Sequence, residues 1–158
     1  MSPETIVAAI LALFPYMSGN NRHCIETQQA RIVRQLREVS QPIEPGAPVP
    51  PTELTAAVAF AETHLGCDIH EGGNWGAPID AQHRHTAGTH MNAVRVLVRG
   101  YQRCGNWDGA VLRFRTGLCN PQRQSSSPRV RHQGTHYLRV IHRIVERVRR
   151  YAEGVHGE

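Results

Sequence analysis

Apolar residues recur at helical spacing along most of the chain, and the pattern predicts an all-α fold. Pro3 fits the first turn of a helix running to about Phe14. Ile25, Ile32, Val33, Leu36 and Val39 define a second helix, with Arg31, Arg34 and Arg37 facing away. Gln41 to Pro51 then holds five prolines and a glycine, too many for a regular element. This Pro-rich loop, 41–51, separates N-terminal helices over 1–40 from a core over 52–158.

Thr52 is a suitable N-cap for the next helix, with Glu53 in the first turn, where the helix dipole favours an acid. Leu54, Val58, Ala61 and Leu65 form its apolar stripe, and Gly66 is the expected C-cap. From Cys67 to His85 the sequence is rich in Gly, Asp and His and reads as a long loop with room for one short β-hairpin. A long helix over about 87–103 follows, its stripe being Ala87, Met91, Val94, Val98 and Tyr101. A short helix spans roughly 107–115, and 120–128 is a polar loop. The final helix carries Tyr137, Leu138, Ile141, Ile144, Val145, Val148 and Tyr151 on one face.

The 158 residues make one domain, long enough to bury about two thirds of its unfolded surface without a staple. No apolar run approaches a membrane span. Ile6 to Phe14 is apolar, but Glu4 stands where a secretory leader needs positive charge, so it is expected to be a helix of the domain. All 18 basic residues are arginine, and the formal charge of +5 favours an anionic partner without choosing one. Cys24, Cys67, Cys104 and Cys119 form no C-x-x-C motif. They are read first as buried thiols; if oxidised, Cys104 with Cys119 is the preferred pair, because both flank the short 107–115 helix.

Glu62 is the most informative residue. Val58 and Leu65 lie a turn to either side, so its carboxyl group borders the buried stripe. Loss of hydration raises a carboxyl pKa, and a raised pKa suits a general acid. The segment Gly72-Gly73-Asn74-Trp75-Gly76-Ala77 follows at once. Its glycines permit close backbone approach to a ligand, and Trp75 is suited to stacking on a sugar ring.

Over roughly 120 residues, the order of segments resembles the lysozyme-like superfamily, and most closely its lytic transglycosylase branch. The family's helix ending in Glu-Ser is matched by Ala61-Glu62-Thr63, and its glycine-rich segment by Gly73-Asn74-Trp75-Gly76-Ala77. Ala87-Gly88 opens the long helix, Ala110 to Gly117 stands for the family's Ala-x-x-x-Tyr-Asn-x-Gly, and Tyr137-Leu138-Arg139-Val140 for its Tyr-Val-x-x-Val. Thr63 replaces a serine, no glutamine follows Gly76, and Phe114-Arg115 replaces the Tyr-Asn pair whose hydroxyl helps orient the glutamate. The resemblance implies cleavage of the peptidoglycan glycan strand, between N-acetylmuramic acid and N-acetylglucosamine, with Glu62 as general acid and base. It implies substrate contacts from Thr63, Gly73, Asn74, Trp75, Gly76, Phe114, Arg115 and Tyr137. A transglycosylase needs no second carboxylate. A hydrolase usually uses one, and Glu71 is then preferred over Asp68 and Asp80. No cofactor is implied. The expected place of action is the cell wall, with the protein free or as part of a virion or secretion assembly.

Three rival readings exist. His83, His85 and His90, with Asp80 or Cys67, have the chemistry of a zinc site, but Arg84 among them would repel a cation. They are read instead as lining a polar groove. Arg129, Arg131 and His132, together with Arg139, Arg143, Arg147, Arg149 and Arg150, form a basic surface suited to phosphates. With only nine aromatic residues and no evident helix-turn-helix, nucleic acid is the weaker partner. The third is an inactive glycan-binding or structural domain, motivated by the missing tyrosine and glutamine.

Overall fold

The computed structural model describes residues 1–68, 75 and 89–154. Among these the chain is all-α, with eight helices. They are α1 (Pro3–Leu13), α2 (Gly19–Thr27), α3 (Gln29–Val39), α4 (Thr52–Thr63), α5 (Thr89–Cys104), α6 (Trp107–Thr116), α7 (Pro121–Gln124) and α8 (Pro128–Ala152). No described helix is long and apolar enough to cross a membrane. The hairpin expected between 67 and 85 lies outside the described residues.

Helix α8 organises the rest. It is 25 residues long, so it spans about 38 Å. Ser127 caps its start by accepting from the Val130 N–H, and Pro128 sits in its first turn. Its buried face is Gly134, Tyr137, Ile141, Ile144, Val145 and Val148. Against it pack α1, α4, α6 and α7, while α5 lies on α6 and reaches α3 and α4. Ile6, Ile10, Ile32, Leu36, Val58, Leu97, Val111 and Ile141 are fully or almost fully buried in one continuous core. The N-terminal helices therefore share their core with the rest of the chain. Ion pairing adds to this: Arg149 on α8 donates two hydrogen bonds to Glu53 in the first turn of α4, at 2.6 and 3.0 Å. Burial alone would raise the Glu53 carboxyl, but the Arg149 hydrogen bonds and charge, together with a backbone N–H of the first turn, hold the group below its ordinary value.

Several boundaries differ from expectation for local reasons. The second helix is two, α2 and α3, parted at Gln28. The Thr27 hydroxyl donates to the His23 and Cys24 carbonyls, competing with the backbone ladder there. Thr52 is the first residue of α4 rather than its cap; Pro51 holds the cap position, and the Thr52 hydroxyl is hydrogen-bonded to Ser40. Helix α4 stops at Thr63 and is capped by a left-handed His64, not by Gly66. Asn120 and Pro121 start one extra turn, α7, within the expected polar loop. Close backbone approach joins α5 to α6, where Gly100 faces Ala110 so tightly that a Cβ would lie 3.0 Å from the Ala110 Cα.

The cysteines are not free thiols. Cys104 is bonded to Cys119, the preferred pair, and Cys24 to Cys67, with sequence separations of 15 and 43. Cys104–Cys119 closes α6 into a loop, and Cys24–Cys67 ties α2 to the end of α4. Loop-closure entropy makes the longer loop the stronger staple, at about 4 kcal/mol against about 3 kcal/mol. Serine replacement of each pair, followed by urea unfolding, should show both losses, larger for Cys24/Cys67. Equal stability with and without reductant would contradict this.

Candidate functional site

The site begins with the end of α4. The helix terminates in three successive residues of positive φ: His64 at 49°, Leu65 at 61° and Gly66 at 77°. For glycine this costs little; for histidine and leucine it costs roughly 1–2 kcal/mol each. The turn persists because its surroundings fix it. Leu65 is fully buried. The buried Thr63 hydroxyl donates to the Ala59 carbonyl at 3.2 Å and accepts from the Gly66 N–H at 3.0 Å. Cys67 and Asp68 return their N–H groups to the Thr63 carbonyl, both at 3.0 Å. The Cys24–Cys67 bond then anchors the far side. Glu62 thus projects from the last turn of a rigidly ended helix.

Three of the expected site residues meet there, each from a different helix. Arg115, in the last turn of α6, places Nη1 at 3.5 and 3.4 Å from the two Glu62 carboxylate oxygens. Its guanidinium lies over the Tyr137 ring of α8, 5.5 Å from the centroid. The Glu62 side chain is 14% exposed and the Arg115 side chain 47%, so the guanidinium lies on the solvent side of the carboxylate. The Tyr137 hydroxyl is buried with no partner in full hydrogen-bond geometry among the described residues. Burial, and then the neighbouring Glu62 charge, hold this phenol far above its ordinary value, while Arg115 pulls the other way. The carboxyl group expected to border the apolar stripe therefore has a cation against it and a phenol beside it.

The other expected residues fall elsewhere. Thr63 is fully buried and its hydroxyl serves the turn, so it offers nothing to a ligand. Phe114 is 9% exposed and packs in the core. Trp75 is fully buried, its ring 5.7 Å from that of His90, and presents no face for stacking on a sugar. Glu71, Gly73, Asn74 and Gly76 lie outside the described residues, as do Asp80, His83 and His85. Asp68 is described, just beyond the left-handed turn. Cys67 is committed to a disulfide and is not a thiolate ligand for a metal. His90 is held between Glu38, at 2.6 Å, and Gln35, at 3.3 Å. The basic surface is partly spent on internal contacts: Arg147 donates to Tyr16, Arg149 to Glu53, Arg150 to Glu146 and Arg131 to the Ser125 carbonyl.

Sequence reasoning missed the His64-Leu65-Gly66 turn, since neither His nor Leu signals a left-handed conformation. It also missed the direct pairing of Arg115 with Glu62. No family, curated protein or solved structure matches the chain.

Tyr137 gives a pH test. An unfolded tyrosine loses its proton around its ordinary value of 10.0, whereas the folded phenol keeps it. Folding stability is therefore fully present below pH 10.0 and falls as pH rises above it. Tyr137→Phe should retain most of its stability at neutral pH, because the buried hydroxyl it removes has no partner in full hydrogen-bond geometry among the described residues. It should also flatten the alkaline decline. An alkaline limb identical in the two proteins, read by urea midpoint against pH, would contradict the assignment.

Proposed function

We propose that this protein cleaves the glycan strand of peptidoglycan, with Glu62 as the general acid and then the base. The observation that carries the reading is the convergence of Glu62, Arg115 and Tyr137 from α4, α6 and α8. These are three of the positions that the resemblance to lytic transglycosylases selects, in the same order along the chain. The family's orienting hydroxyl is missing at Phe114, and Tyr137 brings a buried phenol to the same carboxylate from α8. The two disulfides suit a protein that works in an oxidising compartment or at the cell wall. The charge of +5 suits an acidic polymer as substrate.

In this reading Glu62 protonates the glycosidic oxygen as the bond to the anomeric carbon breaks. The carboxylate then accepts a proton, either from the sugar's own 6-hydroxyl, giving a 1,6-anhydro product, or from water, giving a reducing end. Tyr137 limits the positions the carboxylate can take. Arg115 supplies positive charge at the solvent side.

One observation favours a second reading. Arg115 lies on the solvent side of the Glu62 carboxylate, across the approach a glycosidic oxygen would take. A domain that holds glycan without cutting it, as part of a larger assembly, would keep such a pair intact. Digestion of purified peptidoglycan separates the two, with products identified by mass spectrometry. Wild type should release muropeptides, and Glu62→Gln should lower the rate by about 10²–10⁴-fold. Retained binding with no product from wild type would overturn the glycosidase reading in favour of the second.

A further inference from the structure

We propose that Arg115 reads a carboxylate on the substrate, and that this carboxylate draws the guanidinium off Glu62. The glutamate is then uncovered for anionic glycans and stays covered for neutral ones. The inference rests on the glycosidase reading of the site and adds a basis for selectivity.

Four features of the pair lead to it. First, Arg115 is the more exposed partner, at 47% against 14%, so an arriving chain meets the arginine before the glutamate. Second, the contact is loose. A single nitrogen straddles both oxygens at 3.4 and 3.5 Å, whereas a strong guanidinium–carboxylate pair closes to about 2.7–2.9 Å, often through two nitrogens. In this protein the Arg149–Glu53 pair uses two nitrogens, at 2.6 and 3.0 Å. Third, Arg115 makes no other side-chain hydrogen bond among the described residues. Its remaining N–H donors are free to take a ligand oxygen in that sense. Fourth, the Tyr137 ring lies beneath the guanidinium and remains a platform as it pivots, so the arginine need not give up its cation–π contact to change partner.

The ligand chemistry is a carboxylate near the scissile bond. Two sources supply it: the lactyl group of a muramic residue stripped of peptide, or a carboxylate of the stem peptide. A chitooligosaccharide has the same sugar backbone and neither group.

The test compares kcat/KM on three chains of matched length: peptide-free muramic glycan, peptide-bearing glycan and chitooligosaccharide. Wild type should prefer at least one anionic chain to the neutral chain by about tenfold, or ~1.4 kcal/mol. The anionic chain preferred names the source of the carboxylate. Arg115→Ala should bring the ratio close to one, with a loss on the anionic chain and a gain on the neutral one. Arg115→Lys should fall between, since it keeps the charge without the planar fork. Arg150→Ala, on a distant turn of α8 and outside the site, controls for net charge and should leave the ratio as in wild type. An unchanged ratio in Arg115→Ala, or a matching fall in Arg150→Ala, would overturn the proposal while leaving the glycosidase standing.

Calorimetric binding of the same chains keeps the two claims apart. Binding that prefers anionic chains through Arg115, without cleavage, would sustain the carboxylate site and overturn the glycosidase. Neither cleavage nor binding would overturn both.

Discussion

Burial of the apolar face of α8 is the constraint on which the other helices depend. The helix is heavily charged on its remaining surface, so Tyr137, Ile141, Ile144, Val145 and Val148 must be covered by other parts of the chain. Helices α1, α4 and α6 do this together. Because α4 and α6 pack on the same stripe, the last turn of one and the last turn of the other are brought to one place. Glu62 and Arg115 are 53 residues apart in sequence and meet for that reason. Tyr137, on the covered face itself, lies beneath Arg115 and beside Glu62.

The end of α4 holds the most unfavourable backbone among the described residues. Two non-glycine residues in the left-handed region are costly, and the chain offsets that cost with Leu65 burial, the two Thr63 hydroxyl hydrogen bonds and the Cys24–Cys67 bond. The outcome is a helix terminus with little freedom directly behind the carboxylate. Such rigidity suits a group whose chemistry depends on direction. It also explains why Thr63 faces inward: the position adjoining the glutamate is occupied by the scaffold.

The sequence pattern was sufficient where one force dominates. Apolar periodicity located α4, α5 and α8, and the proline cluster at 41–51 marked the irregular connection. Periodicity did not report the break at Gln28, because a threonine hydroxyl competing for carbonyls leaves the apolar pattern intact. Nor did it report the left-handed His64 and Leu65, whose conformation is imposed by packing and a disulfide rather than by their own preference. At the site, the apolar stripe singled out Glu62 and the family resemblance added Arg115 and Tyr137, but neither could say which of the neighbouring residues face inward. Thr63, Phe114 and Trp75 are buried because each lies on the core side of its segment, a matter of tertiary packing.

The central claim is that glycan binds where α4, α6 and α8 converge. The most direct measurement is NMR shift mapping of the disulfide-intact protein, titrated with a short muramic-containing glycan. The account predicts that the largest shifts fall at Glu62 and the turn after it, at Arg115, and at the middle of α8 around Tyr137. Shifts confined to the outer arginine face of α8, or none at saturating glycan, would contradict it.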